Sequence, residues 1–116
     1  MNAHKTDLSG LSTRALLARR ARLARGLPDV EQMLVGSLVE QTRRCSKPGC
    51  RCAAGDPHGP YMYFTPKTAG RGRARYVPGP LVAAVRAWLA RGDQMRVAVA
   101  EISAINAELL ARRELR

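Results

Sequence analysis

Sixteen consecutive residues, CSKPGCRCAAGDPHGP from Cys45 to Pro60, restrict the fold of this chain more than any other stretch. Pro48, Gly49, Gly55, Pro57, Gly59 and Pro60 punctuate it too densely for a helix or a strand. Beyond the cysteines its only apolar side chains are Ala53 and Ala54, so burial cannot order it. A metal ion can. Cys45, Cys50, Cys52 and His58 read C-x4-C-x-C-x5-H, and three thiolates with one imidazole complete the tetrahedron that zinc prefers. Lys47-Pro48-Gly49 turns the chain between the first two thiols. Arg51 fills the one-residue gap and is expected to point outward. Gly55-Asp56-Pro57 brings His58 back. Arg43, Arg44, Lys47 and Arg51 surround the cluster; their charge favours thiolate and offsets the negative charge of a three-thiolate centre. Two other readings compete: three reduced thiols in an ordinary loop, or a redox or nucleophilic cysteine. With all four ligands used, no coordination position remains for substrate, which predicts structural zinc and no enzyme.

The cysteines are odd in number and lie within eight residues, unlike a disulfide framework. Reduced, metal-bound thiolates fit a cytoplasmic setting. The N-terminal MNAHKTDLSG lacks an apolar signal core, and no run of 18 apolar residues exists, so neither secretion nor a membrane span is expected. His4 and His58 are the only histidines, no paired carboxylates suggest a cleft, and no glycine loop precedes a helix start.

A chain of 116 residues suits one domain with a thin core, for which a metal or a partner is a useful staple. Lys plus Arg is 20 against 9 for Asp plus Glu, a formal charge of +11. Genome base composition can explain the preference for Arg over Lys, but not the excess of base over acid. Such a charge repels itself unless a polyanion is near, so nucleic acid leads and an acidic membrane surface follows.

The expected fold is α+β: N-terminal helices, a small three-stranded antiparallel sheet with the zinc loop between strands one and two, then a long C-terminal helix. Residues 1–10 read as a flexible tail, 11–35 as a basic helical segment, 36–78 as the zinc-loop and hairpin core, and 79–116 as a C-terminal heptad segment. Ser12 is a candidate N-cap for a helix over 13–25, ended or kinked by Gly26 and Pro28. Asp29 to about Val35 reads as one or two further helical turns. Strands are expected at Ser37–Arg44, Tyr61–Thr65 and Arg73–Val77, the last two joined by the basic turn PKTAGRG.

Gly36 to Val77, about a third of the chain, resembles a family of short, uncharacterised bacterial proteins. The resemblance rests on GSLVE at Gly36–Glu40, C-x-K-P-x-C-x-C within Cys45–Cys52, HGPY at His58–Tyr61 with the aromatic strand that follows, and R-x-R-Y at Arg73–Tyr76. Members are often encoded near transposase or integrase genes, which implies a link to DNA and to mobile elements. The hairpin and following helix also look like the small DNA-binding domains of phage-type integrases, an architectural likeness only.

Arg71, Arg73 and Arg75 alternate and are expected to project from one face of the hairpin, with Lys67 at its tip and Ala74 and Tyr76 on the apolar face. A basic two-stranded ribbon has the width of the major groove. Tyr61 and Tyr63 either stack on unpaired bases or cover the core. Arg14, Arg19, Arg20 and Arg22 would add electrostatic grip. In the last segment Leu81, Val85, Trp88, Gly92, Met95, Val99, Ile102, Asn106 and Leu109 form a heptad seam. That predicts a homodimeric coiled coil through Val85, Trp88, Met95, Val99, Ile102, Asn106 and Leu109. The rival is packing on the N-terminal helix of the same chain. Gly92 before Asp93 leaves open one helix or two. The function expected is therefore DNA binding by a zinc-stabilised, nucleoid-associated protein. The alternatives are an adaptor that pairs through its last helix with a recombinase or transposase, and an RNA-binding protein.

Overall fold

The structure, a computed structural model, describes residues 7–67 and 72–116. Among these the elements run α1 (Thr13–Arg25), β1 (Gly36–Arg43), β2 (His58–Pro66), β3 (Arg75–Val77) and α2 (Val82–Ala111), with short 3-10 turns between. The α+β expectation holds, with one short N-terminal helix. Two compact units share the chain: the residues up to Val30 with Asp93–Arg116, and Glu31–Gly92.

The helical unit is held by burial. Ser12 Oγ accepts a hydrogen bond from the Ala15 N–H at 3.0 Å and so caps α1. Leu16, Ile105 and Leu109 are fully buried together, with Leu8, Leu11, Leu17 and Leu23 packed around them. Of the tail expected over residues 1–10, residues 1–6 lie outside the described residues, and within 7–10 Leu8–Gly10 forms a 3-10 turn with Leu8 packed on the core. Arg112 Nη2 donates to the carbonyls of Leu8, Ser9 and Leu11, at 3.2, 3.3 and 2.6 Å, and Arg112 Nε donates to Glu108 at 2.8 Å. One guanidinium thereby gathers three carbonyls of the turn, of which the Leu8 carbonyl also accepts from the Leu11 N–H.

This packing corrects the heptad seam. Ala98, Ile105 and Leu109 are buried and Ile102 is half-buried, so the inward stripe shares Ile102 and Leu109 with the expected seam. It takes Ala98 and Ile105 where Val99 and Asn106 were expected. Val99 is exposed, and Asn106 Oδ1 accepts from Arg20 Nη1 at 2.8 Å instead of facing a second chain. Two overlapping stripes exist on this helix, and the one carrying Ile rather than Asn buries more apolar surface against Leu16. Of the seven expected dimer residues, Val99 alone is exposed; Leu109 is spent in its own core, and Val85, Trp88, Met95, Ile102 and Asn106 are half-buried.

In the sheet unit β2 is central, paired antiparallel with β1 and with the short β3. Gly36 opposes Pro66, Leu38 opposes Phe64, and Met62 opposes Val77. Alternation then divides the faces. Phe64 and Val77 are buried on one; Tyr61, Tyr63 and Tyr76 lie on the other. The hairpin therefore departs from expectation. Arg75 opposes Phe64 and shares the parity of the buried face, whereas Tyr76 opposes Tyr63 on the open one. Val77, the more apolar neighbour, claims the core position. Arg73 lies before the three-residue strand, and its carbonyl accepts from Arg75 Nη1 at 3.2 Å. Arg71 and Gly70 lie outside the described residues, so no aligned arginine row is seen. The turns expected over Asp29–Val35 reduce to a 3-10 turn at Val30–Gln32.

Gly92 does not break α2. A Cβ there would stand 1.9 Å from the Leu34 carbonyl oxygen, while the Leu34 N–H donates to the Trp88 carbonyl at 3.0 Å. The glycine is the price in helix propensity of letting the Leu34 backbone lie against the helix.

Candidate metal centre and the adjoining cleft

The loop from Arg44 to Pro57 leaves β1 and returns into β2, which begins at His58, so His58, Gly59 and Pro60 are strand residues and not part of the loop expected over 45–60. A single 3-10 turn, Arg51–Ala53, is its only helical part, and it turns Cys52 inward to 1% exposure. The Cys45 N–H donates to Cys52 Sγ at 3.2 Å. Arg44 Nη1 donates to the Gly55 carbonyl at 2.8 Å and to the Cys52 carbonyl as well. Arg44, expected to face nucleic acid, thus clips the two sides of the loop together.

His58 reaches the cysteines through a bulge. From Gln41 to Arg43 is two steps along β1, but their partners Tyr61 and His58 are three steps apart along β2. The extra residue falls at Gly59–Pro60, a cis peptide, where Gly59 has φ +113° and Pro60 has no N–H to leave unpaired. One extra residue reverses the alternation. His58 therefore moves from the parity of Phe64 to the face of Tyr61 and stands over the thiols. A Cβ at Gly59 would sit 3.0 Å from both the Gln41 carbonyl oxygen and the Tyr61 nitrogen, so HGPY needs its glycine.

The four side chains meet. His58 Nε2 is 3.2 Å from Cys50 Sγ and 3.3 Å from Cys45 Sγ, and the Cys45 and Cys52 sulfurs are 3.5 Å apart. All four ligand atoms lie within 4.8 Å of one another, close enough to hold one metal ion. Ordinary metal–sulfur and metal–nitrogen lengths in a tetrahedron imply edges of about 3.5–3.8 Å, and the three contacts of 3.2, 3.3 and 3.5 Å lie close to that range. The Cys50 thiol is drawn down to about 6, first by the hydrogen bond from the Cys52 N–H and then by the Cys45 and Cys52 side chains. Burial pushes Cys52 the other way. One sulfur is therefore ready as thiolate, and another gains by exchanging its proton for a cation.

A cleft of about 610 Å³ opens beside the cluster, lined by Arg43, Arg44, Cys45, Ser46, His58, Tyr61, Tyr63 and Tyr76. Tyr76 meets Tyr61 and Tyr63 edge to face, with ring centroids 6.2 and 5.9 Å apart. Arg43 Nη2 donates to Tyr63 Oη at 2.6 Å, and its guanidinium carbon lies 5.3 Å from the Tyr63 ring centroid. Tyr61 and Tyr63 are thus on the face opposite Phe64 and Val77, and do not cover that core. Lys47, Arg51 and Lys67 are exposed in this unit. Arg14 and Arg22 are exposed on α1, whereas Arg19 pairs with Glu101 at 3.7 Å and Arg20 binds Asn106. The sequence did not mark Tyr76 as the third member of the tyrosine face; its pairing with Tyr63 places it there.

No helix among the described residues is long and apolar enough to cross a membrane. No curated protein and no solved structure matches the chain. A family model does match, from Thr13 at the start of α1 to Ala87 in the first turns of α2. It takes in the whole metal loop and sheet. On that match the chain belongs to the family defined by a domain of unknown function, DUF6788.

Proposed function

We propose that this protein is a zinc-stabilised nucleic-acid-binding protein, with DNA as the first partner and RNA as the second. The distribution of charge carries this reading. Between Glu31 and Gly92 there are ten basic and three acidic residues, a net +7, in the unit that holds the metal loop; the rest of the chain has ten and six, a net +4. In the helical unit Glu101, Asp93, Glu108 and Glu114 each pair with an arginine. Three carboxylates cannot neutralise ten cations in the sheet unit, and a polyanion can.

Zinc suits the donor set, since sulfur and imidazole favour it over magnesium or calcium. Cys45, Cys50, Cys52 and His58 would hold the ion, and four protein ligands assign it structural work without catalysis. Arg43, Arg44, Lys47, Arg51, Lys67, Arg73 and Arg75 supply cations around it, and Arg14 and Arg22 supply more on α1.

Binding of the zinc-loaded chain to a labelled duplex, measured over a range of salt, tests the reading. Each phosphate neutralised contributes about 0.9 to the slope of log affinity against log salt. A footprint of about six phosphates costs roughly a thousandfold in affinity between about 50 and 200 mM salt. Affinity that ignores salt would remove nucleic acid as the partner.

A further inference from the structure

We infer that the tyrosine cleft beside the metal cluster is a binding site for unpaired nucleotides, so that the protein prefers single-stranded to duplex nucleic acid. This rests on the nucleic-acid reading above and goes beyond it by naming the strand state and the residues. The cleft offers what a single strand needs: aromatic faces for bases and a cation for the backbone. Tyr61, Tyr63 and Tyr76 stand together on the open face of the sheet, and Tyr76 remains 55% exposed. Arg43 is anchored on Tyr63 by one of its five N–H donors, which fixes its position at the cleft wall. Arg44 also lines the cleft, and no carboxylate does. Glu40 opposes Met62 and so belongs to the other face.

Duplex DNA suits this site poorly. Its bases are stacked on one another and present only their edges, so a tyrosine face gains nothing from them without unpairing. A proline-rich peptide is the other occupant that favours a tyrosine-lined groove. Charge decides against it, since such a peptide has no anion for Arg43 and Arg44.

The test titrates the full-length, zinc-loaded protein into labelled oligo(dT), oligo(U) and a duplex, each about 12 residues long, at one salt concentration. Expected is at least about tenfold tighter binding to one of the single strands than to duplex. Tyr76→Leu should weaken the single-strand complex by about tenfold or more, the value of one stacked base, and Tyr76→Phe should not. Duplex affinity and zinc content should be unchanged in both. As a readout that needs no variant, photo-cross-linking of a 5-bromouracil oligonucleotide should map to Tyr61, Tyr63 or Tyr76. Duplex binding that equals single-strand binding, or cross-links confined to α1, would overturn the cleft site while leaving the wider reading intact. Failure to bind any of the three nucleic acids would sink both, as would capture of a proline-rich peptide instead.

Discussion

The two units solve the same problem, a small chain with little to bury, by opposite means. The helical unit has Leu16, Ile105 and Leu109 at or below 1% exposure and a ring of further leucines. The sheet unit has Phe64 and Val77 under its strands, and then a loop from Arg44 to Pro57 with almost nothing apolar in it. Burying a Leu contributes about 1.5–3 kcal/mol, so three or four of them can hold one helix against another. A loop without such side chains needs another tie, and on the reading proposed above a structural metal held by Cys45, Cys50, Cys52 and His58 would contribute on the order of 10 kcal/mol to folding. On that reading, charge can accumulate where a metal would supply the order. A loop tied by coordination would need no carboxylate partners on its surface, and the sheet unit carries +7 against +4 elsewhere.

Removing a ligand should separate the two units most sharply. Cys50→Ser, or a strong chelator added to the wild-type chain, is expected to unfold the sheet unit. Trp88, the only tryptophan, lies in that unit, so its emission should shift to the exposed value. Zinc at one per chain should fall to none, while far-ultraviolet circular dichroism keeps the α1 contribution. A metal-free protein with unchanged Trp88 emission would break the comparison. A smaller effect is expected in the helical unit: Leu109→Ala should cost about 2–5 kcal/mol in denaturant unfolding, with zinc content unchanged. Zinc loss in that variant would mean that one cooperative structure exists, not two. The smallest effect belongs to Gly92→Ala. Helix propensity alone predicts a gain of about 1 kcal/mol. The 1.9 Å approach to the Leu34 carbonyl predicts a net loss of about 1–3 kcal/mol instead, read as a lower thermal midpoint. A gain would show that the backbone contact yields without cost.

Much of this fold was legible in the residues. Ser12 before a leucine-spaced run marks α1, and Pro80 after Pro78-Gly79 marks the approach to α2. The cysteine cluster with His58 stands out because a loop of that composition has almost no apolar side chain to order it. Face assignment in the hairpin was not legible. Tyr76 and Val77 are both good strand residues, and a one-residue shift exchanges their faces, so only pairing with Met62 and Tyr63 decides between them. The seam of α2 was ambiguous for a related reason, since Ala98–Ile105 and Val99–Asn106 are adjacent stripes of the same period.

Local chemistry alone settled where the chain must turn, which side chains can ligate a metal, and that positive charge far exceeds negative. These follow from backbone restriction, donor type and counting, none of which needs a neighbour. Tertiary structure decided the rest: that His58 is swung over the thiols by a bulge at Gly59–Pro60, that Gly92 admits the Leu34 backbone, and that three tyrosines share one open face. Each depends on what lies across a strand or against a helix, and no pattern along a single chain specifies the partner.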